Sequence, residues 1–207
     1  MSCEKQNGRS MVEMLGVLAI IAVLAVGIYS VYNMAMGRMR INQTIDLVQT
    51  LVYDLRTANM VRGHYYGTSK NESFGDSYSA YLAEKKVIPR LLCSGQKGGD
   101  VKVECAKLAH PLGGELEIAP NTEAALTADQ TLTITLKKLS RASCVAIATA
   151  DWSTGGGTSD TIQSMKIGDA SAITEYPAKI ADVNAACVGN DKSIVFTLRP
   201  LKLSQNK

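Results

Sequence analysis

The chain has 207 residues, with 22 Lys and Arg against 19 Asp and Glu and a formal net charge of +3. That length holds one membrane helix and one globular domain of ordinary size. Acids and bases are interspersed without a concentrated basic stripe, which argues against a dedicated nucleic-acid binder, so no nucleic-acid partner is expected.

Met1 to Gly8 read as a short polar leader in which Glu4 and Lys5 cancel. Cys3 lies inside it with no apolar run ahead, so a lipoprotein acceptor is not supported. From Met14 to Tyr32 no residue is charged, and Ser30 is the one clearly polar side chain. At ~1.5 Å of rise per residue, such a run spans a ~30 Å hydrocarbon core. It is longer than the ~7–15 apolar residues of a cleaved signal, and no convincing A-x-A-like site follows it. Glu13 stands at its mouth. A carboxylate costs ~2.5–3.5 kcal/mol at a bilayer centre and less near the end of a span. An acid here therefore has a use, or else sits at headgroup level in a plain signal anchor. Lys5 and Arg9 before the run, against Arg38 and Arg40 after it, leave the orientation undecided.

Beyond Gly37, Ile41, Ile45, Val48, Val52 and Leu55 recur at steps of four and three, with Leu51 beside them and no proline before Gly63. That is one face of an amphipathic helix. A single helix of ~80 Å is expected from Arg9 to Arg62. Its first half (9–36) is apolar all round, and its second half (37–62) is laid against a domain. Residues 63–111 read as a connector with a short helix in SYSAYLAEKKVIPR that ends at Pro89. Lys85, Lys86 and Arg90 are its solvated face. Cys93 and Cys105 bracket a polar segment that reads as a stapled surface loop.

From Leu112 the period changes to two. LGGELEIAP, QTLTITLKK and KSIVFTLRP are strands by alternation and β-branching. Residues 145–150 are open between a strand and a helix following Cys144. WSTGGGTSD reads as a flexible loop, and its glycines lack the G-K-[ST] ending of a phosphate loop. The fold class is α+β, with an antiparallel sheet of about four to six strands in residues 112–207 covered by the amphipathic half of the helix.

Outside the leader there are four cysteines, Cys93, Cys105, Cys144 and Cys187. An even count suits disulfides in an oxidising compartment. Three pairings are open. The favoured one, Cys93 with Cys105 and Cys144 with Cys187, closes loops worth roughly 3 and 4 kcal/mol by chain entropy. Zinc is disfavoured because no C-x-x-C pair exists, and no metal or other cofactor is expected. The two histidines, His64 and His110, sit in no catalytic motif, and His110 reads as solvated or structural. No enzymatic activity is expected.

Gly8, then Arg9, Ser10, Met11, Val12, Glu13 and Met14, then the apolar run, resembles the class III signal of type IV prepilins. The resemblance implies a pilin fold, a cut after Gly8 by a prepilin peptidase and N-methylation of the new amine at Arg9. Glu13 occupies the family's acidic fifth position, and its implied role is to pair with that amine during assembly. The implied location is the inner membrane, single-pass with a cytoplasmic N-terminus. From there an inner-membrane assembly platform would build an extracellular pilus from copies of the same subunit. Gly16, Ala19, Ala22, Ala25 and Gly27 would let the helices approach closely. Arg9 departs from the apolar residue usual after the cut, and no proline interrupts the run. The Gly113-Gly114 strand opening, a strand leading into Cys144, and Cys187 before a final strand at Ile194 to Leu198 look like type IVb pilins. In those proteins a disulfide closes a long C-terminal region, of which Cys144 to Cys187 would be the counterpart. The rival readings are a type II secretion pseudopilin and a signal-anchored periplasmic binding domain that never polymerises.

Overall fold

A computed structural model describes residues 11–59, 78–88, 108–120, 131–153 and 161–199. The chain divides into two compact units, Met1–Arg40 and Ile41–Lys207. Helix α1 covers Met11–Asn59.

The second unit contains the end of α1, then α2 (Tyr78–Glu84), β1 (Leu108–Ala109), β2 (Glu115–Pro120), β3 (Leu132–Leu139), α3 (Arg141–Ala148), β4 (Ile162–Ile167), α4 (Ile180–Ala186) and β5 (Lys192–Leu198). The strands form one antiparallel sheet in the order β1-β2-β3-β5-β4. β5 comes last in the chain and is inserted between β3 and β4.

Register follows from the alternation. Leu116 pairs with Leu136 and Ile118 with Ile134; Ile134 and Leu136 in turn face Phe196 and Ile194. Met165 and Ile167 meet the same two β5 residues from the other side. All these side chains are buried on one face. The spacing from Leu136 to Leu139 breaks the period of two, and the chain absorbs it with a bulge in which Lys138 takes a positive φ of 61°. The extra residue turns Leu139 back into the core.

Against this face lie Val48, Leu51, Val52 and Leu55 of α1, all fully buried, with Ile41 and Ile45 half-buried. These are the apolar positions of the amphipathic stripe. The Arg56 guanidinium adds a polar tie, donating to Thr161 Oγ1 at the start of β4. On α2, Tyr78, Leu82 and Ala83 turn inward, followed by Val87 and Ile88. That helix stops before Pro89. Lys86 takes φ 58°, its N–H bonds the Ala83 carbonyl at 3.1 Å, and the Val87 N–H bonds Leu82 at 3.0 Å. This is a Schellman cap made with lysine instead of glycine.

The structure differs from the sequence reading at several points, or settles it. Cys144 is not reached by a strand: β3 ends at Leu139, Ser140 caps the next helix by accepting from the Ser143 N–H at 3.3 Å, and Cys144 sits on α3. Residues 145–148, left open by the sequence, are helical. Trp152, read as the start of a flexible loop, is fully buried. Its Nε1–H donates to the Ile147 carbonyl at 3.0 Å, and its ring lies 4.8 Å from that of Phe196. An indole with both its apolar area and its N–H satisfied belongs to the core. The sheet also begins earlier than the change of period at Leu112, because Leu108–Ala109 pairs with β2.

Trp152→Ala should therefore cost ~3–5 kcal/mol in a denaturant titration of the full chain in detergent. Ile180→Ala, at a position 65% exposed, should stay within ~0.5 kcal/mol of wild type.

Candidate functional site

The first unit consists largely of helix. From Met14 to Met34 its large apolar side chains are exposed all round, as at Leu18 (61%), Val23 (74%) and Tyr29 (68%). A soluble monomer rarely exposes a contiguous apolar patch beyond a few hundred Å². The helix is long and apolar enough to cross a membrane. At Gly16 and Gly27 an added Cβ would meet nothing within 4 Å. Among the described residues no packing contact requires either glycine, so the room they leave is available to a neighbour. Glu13 lies exposed in the first turn, where the helix dipole favours a negative charge. Gly8 and Arg9 lie outside the described residues.

The second unit carries the cysteines. Cys144 on α3 and Cys187 at the C-cap of α4 are fully buried and disulfide-bonded, with a Cα–Cα distance of 5.9 Å across 43 residues of sequence. The loop they close contains β4, so the bond fastens the two helices that flank this edge strand. Cys93 and Cys105 lie outside the described residues, as does His64. Lys85 and Lys86 are exposed, and the Lys85 Nζ lies 5.6 Å from the centroid of the Tyr81 ring. Arg90 lies outside the described residues.

His110 is structural and buried. Its Nε2 is 2.9 Å from the Lys137 carbonyl, so that nitrogen carries the hydrogen and Nδ1 is the bare one. Burial pushes its pKa below 6.5, against the opposing pull of the carbonyl bond. The Lys137 side chain turns outward to Glu117, with 2.5 Å between Nζ and Oε2, and this hydrogen bond raises the amine's pKa. At such exposure the pair contributes little stability. The Tyr176 hydroxyl donates to the Ile173 carbonyl at 3.2 Å, and burial raises its pKa to about 12 despite the charge of Arg199. Among the described residues, no three His, Cys, Asp or Glu are grouped to hold a metal ion.

A family profile described as PilS N terminal matches residues 39–199. The chain belongs to this family, and it is a type IVb-like pilin. As a pilin subunit it is built to associate with other pilin subunits. The match begins beyond the apolar run, so Gly8, Arg9 and Glu13 precede it. No curated protein matches the chain. Among solved structures it is similar to the crystal structure of type IV b pilin from Salmonella typhi. The two share 21% identity, with a TM-score of 0.47, over 72% of this chain and 95% of that one.

The sequence missed part of the pilin head. β4 and α4 carried no usable period, and nothing in the sequence marked His110 as buried. The Gly-Gly pair beside it was the available signal.

Replacing both Cys144 and Cys187 with serine should lower unfolding stability by roughly 4 kcal/mol, from the chain entropy of the opened loop. Limited proteolysis should then cut first between α3 and α4, with β3 and β5 still protected.

Proposed function

We propose that this pilin is cut after Gly8 by a prepilin peptidase, N-methylated at Arg9 and built into a filament of identical subunits. Before assembly it is held in the inner membrane by the apolar half of α1, with its N-terminus cytoplasmic. An inner-membrane platform then moves it into a type IVb-like pilus that extends outside the cell and serves adhesion, aggregation or conjugation-type contact. One observation carries this reading: an exposed, all-round apolar helix that begins with an acid, on a chain whose remainder is a pilin head.

The chemistry is assembly. Cleavage frees a positive amine at Arg9, and Glu13 of the same or a neighbouring subunit neutralises it as the helices bundle. Water is excluded there, so the pair sets register, and removing one partner of a buried pair costs ~3–5 kcal/mol. Cys93 and Cys105 form the second disulfide on this reading, stapling the connector. The apolar helices exchange lipid for one another, helped by the space at Gly16 and Gly27.

Intact-mass spectrometry of envelope and sheared surface fractions tests the processing. The expected species begins at Arg9, is heavier by one methyl and lighter by the hydrogens its disulfides lose, and appears in the sheared fraction. A processed species confined to the envelope would favour a pseudopilus. An uncut Met1 form in a host with a working prepilin peptidase would overturn the pilin pathway. Glu13→Ala should leave cleavage intact and abolish filaments. Normal filaments from that variant would remove Glu13 from assembly.

A further inference from the structure

The turn from β1 to β2 is built around His110. Its N–H bonds the Gly114 carbonyl at 3.1 Å, and its own carbonyl accepts from Gly113 N–H at 2.9 Å. Gly113 holds φ +85°, and Gly114 passes so close that a Cβ there would collide with the Lys137 carbonyl and the His110 ring. Lys137 immediately precedes the Lys138 bulge, in the stretch of β3 where pairing with β5 breaks between Leu136 and Leu139. The imidazole thus joins a short edge hairpin to the bulge of a central strand.

We infer that this imidazole latch is an acid-sensitive device, which holds the β1–β2 hairpin on β3 when neutral and releases it when protonated. The argument is geometric. Nε2–H already donates to the one carbonyl it reaches. Nδ1 is buried and has no hydrogen-bond partner among the described residues. While bare, it is an unused acceptor, a modest penalty. Once protonated, it is a buried donor and a buried charge with nothing to receive either, a far larger one. Gly114 lies against the Nε2–Cε1 edge of the ring, where even an added Cβ would collide with it. The imidazolium must leave for water.

Among the described residues, the charged groups on the surrounding elements do not rescue it. On β3 they are Lys137 and Lys138. On β2 they are Glu115 and Glu117, the latter occupied by Lys137. α2, which packs on β2, carries Glu84, with Lys85 and Lys86 just beyond it. Burial and the Lys137 carbonyl are the causes of the His110 shift, and no side-chain charge enters.

The sign follows from linkage. In the opened hairpin the imidazole has its ordinary value of 6.5, and in the closed one it binds a proton less readily. The latch is fully effective above pH 6.5 and weakens as the pH falls below it. Opening should become more frequent by about tenfold per pH unit between the two values.

The test is hydrogen exchange with mass spectrometry on the full chain in detergent, at pH 7.5 and 5.0, corrected for intrinsic rates. In wild type, exchange across residues 109–116 should accelerate at low pH, with residues 194–198 of β5 unchanged. His110→Gln keeps an N–H for the Lys137 carbonyl and does not titrate, so its hairpin exchange should be flat with pH. The inference is overturned by flat exchange in wild type, by equal acceleration in His110→Gln, or by equal acceleration in β5, which signals global unfolding. Should His110→Gln fail to fold, imidazole NMR of the wild type decides. One of the two histidines must titrate below 6.5 with the hairpin resonances, and joint titration of both at the ordinary value sinks the latch.

Discussion

The pilin head depends on the placement of β5. This strand is the last in the sheet to be made and the one that joins its halves: β3 lies on one side and β4 on the other. Phe196 faces Ile134 across one ladder and Met165 across the other, and the Trp152 indole packs against its ring. Among the described residues, β4 has no strand partner besides β5 beyond the single bridge from Met165 to Ile173. Such a topology concentrates the stabilising contacts between residues far apart in sequence, so loop-closure entropy is spent before the contacts form. The Cys144–Cys187 bond acts on that problem directly. It shortens the wandering segment that carries β4 and delivers the chain to Lys192 with α3 and α4 already fastened. The same bond explains how α4 persists with Val183 as its one buried residue.

Helix α1 obeys two different rules along its length. From Ile41 onward, water lies on one side and a sheet on the other, and the sequence writes that as a stripe, with Thr44, Val48, Leu51, Val52 and Leu55 fully buried. From Met14 to Met34 the apolar residues occupy every side of the helix and are exposed. Such a surface is stable only among lipid tails or other apolar helices, which is the physical content of calling the chain a pilin subunit.

Legibility in the sequence tracked how strictly a segment obeyed one period. The helix stripe and strands β2, β3 and β5 were readable because their inward positions are unbroken Leu, Ile, Val and Phe. β4 was not. In TIQSMKI the register slips between Ile162 and Ser164, so its inward residues, Ile162, Met165 and Ile167, fit no period of two. α4 was hidden because alanines and a single buried valine make no stripe. α3 had a legible start, since Ser140 is a capping residue, but Cys144 drew attention to the cysteine and away from the cap. Trp152 stood next to glycines and was read with them, although a lone tryptophan in a head of modest aromatic content has few places to go except the core. The residues of the processing signal were the clearest motif in the sequence. They precede the matched head, whose core is built from residues 48 onward.

That separation has a consequence for how such a chain divides its tasks. Among the described residues, the head buries an apolar core of its own, fixes its last strand centrally and locks the edge with a buried disulfide. The apolar half of α1 has the opposite character. Among the described residues, an added Cβ at Gly16 or Gly27 would meet nothing, the large apolar side chains are exposed, and the single acid has no counter-charge. Unsatisfied chemistry of that kind, an apolar surface and one carboxylate at its tip, is what a polymerising subunit must bring to its partners. Ile180 and Val188 are exposed on the head and lie outside its buried core, so substitutions there leave the β5 packing intact.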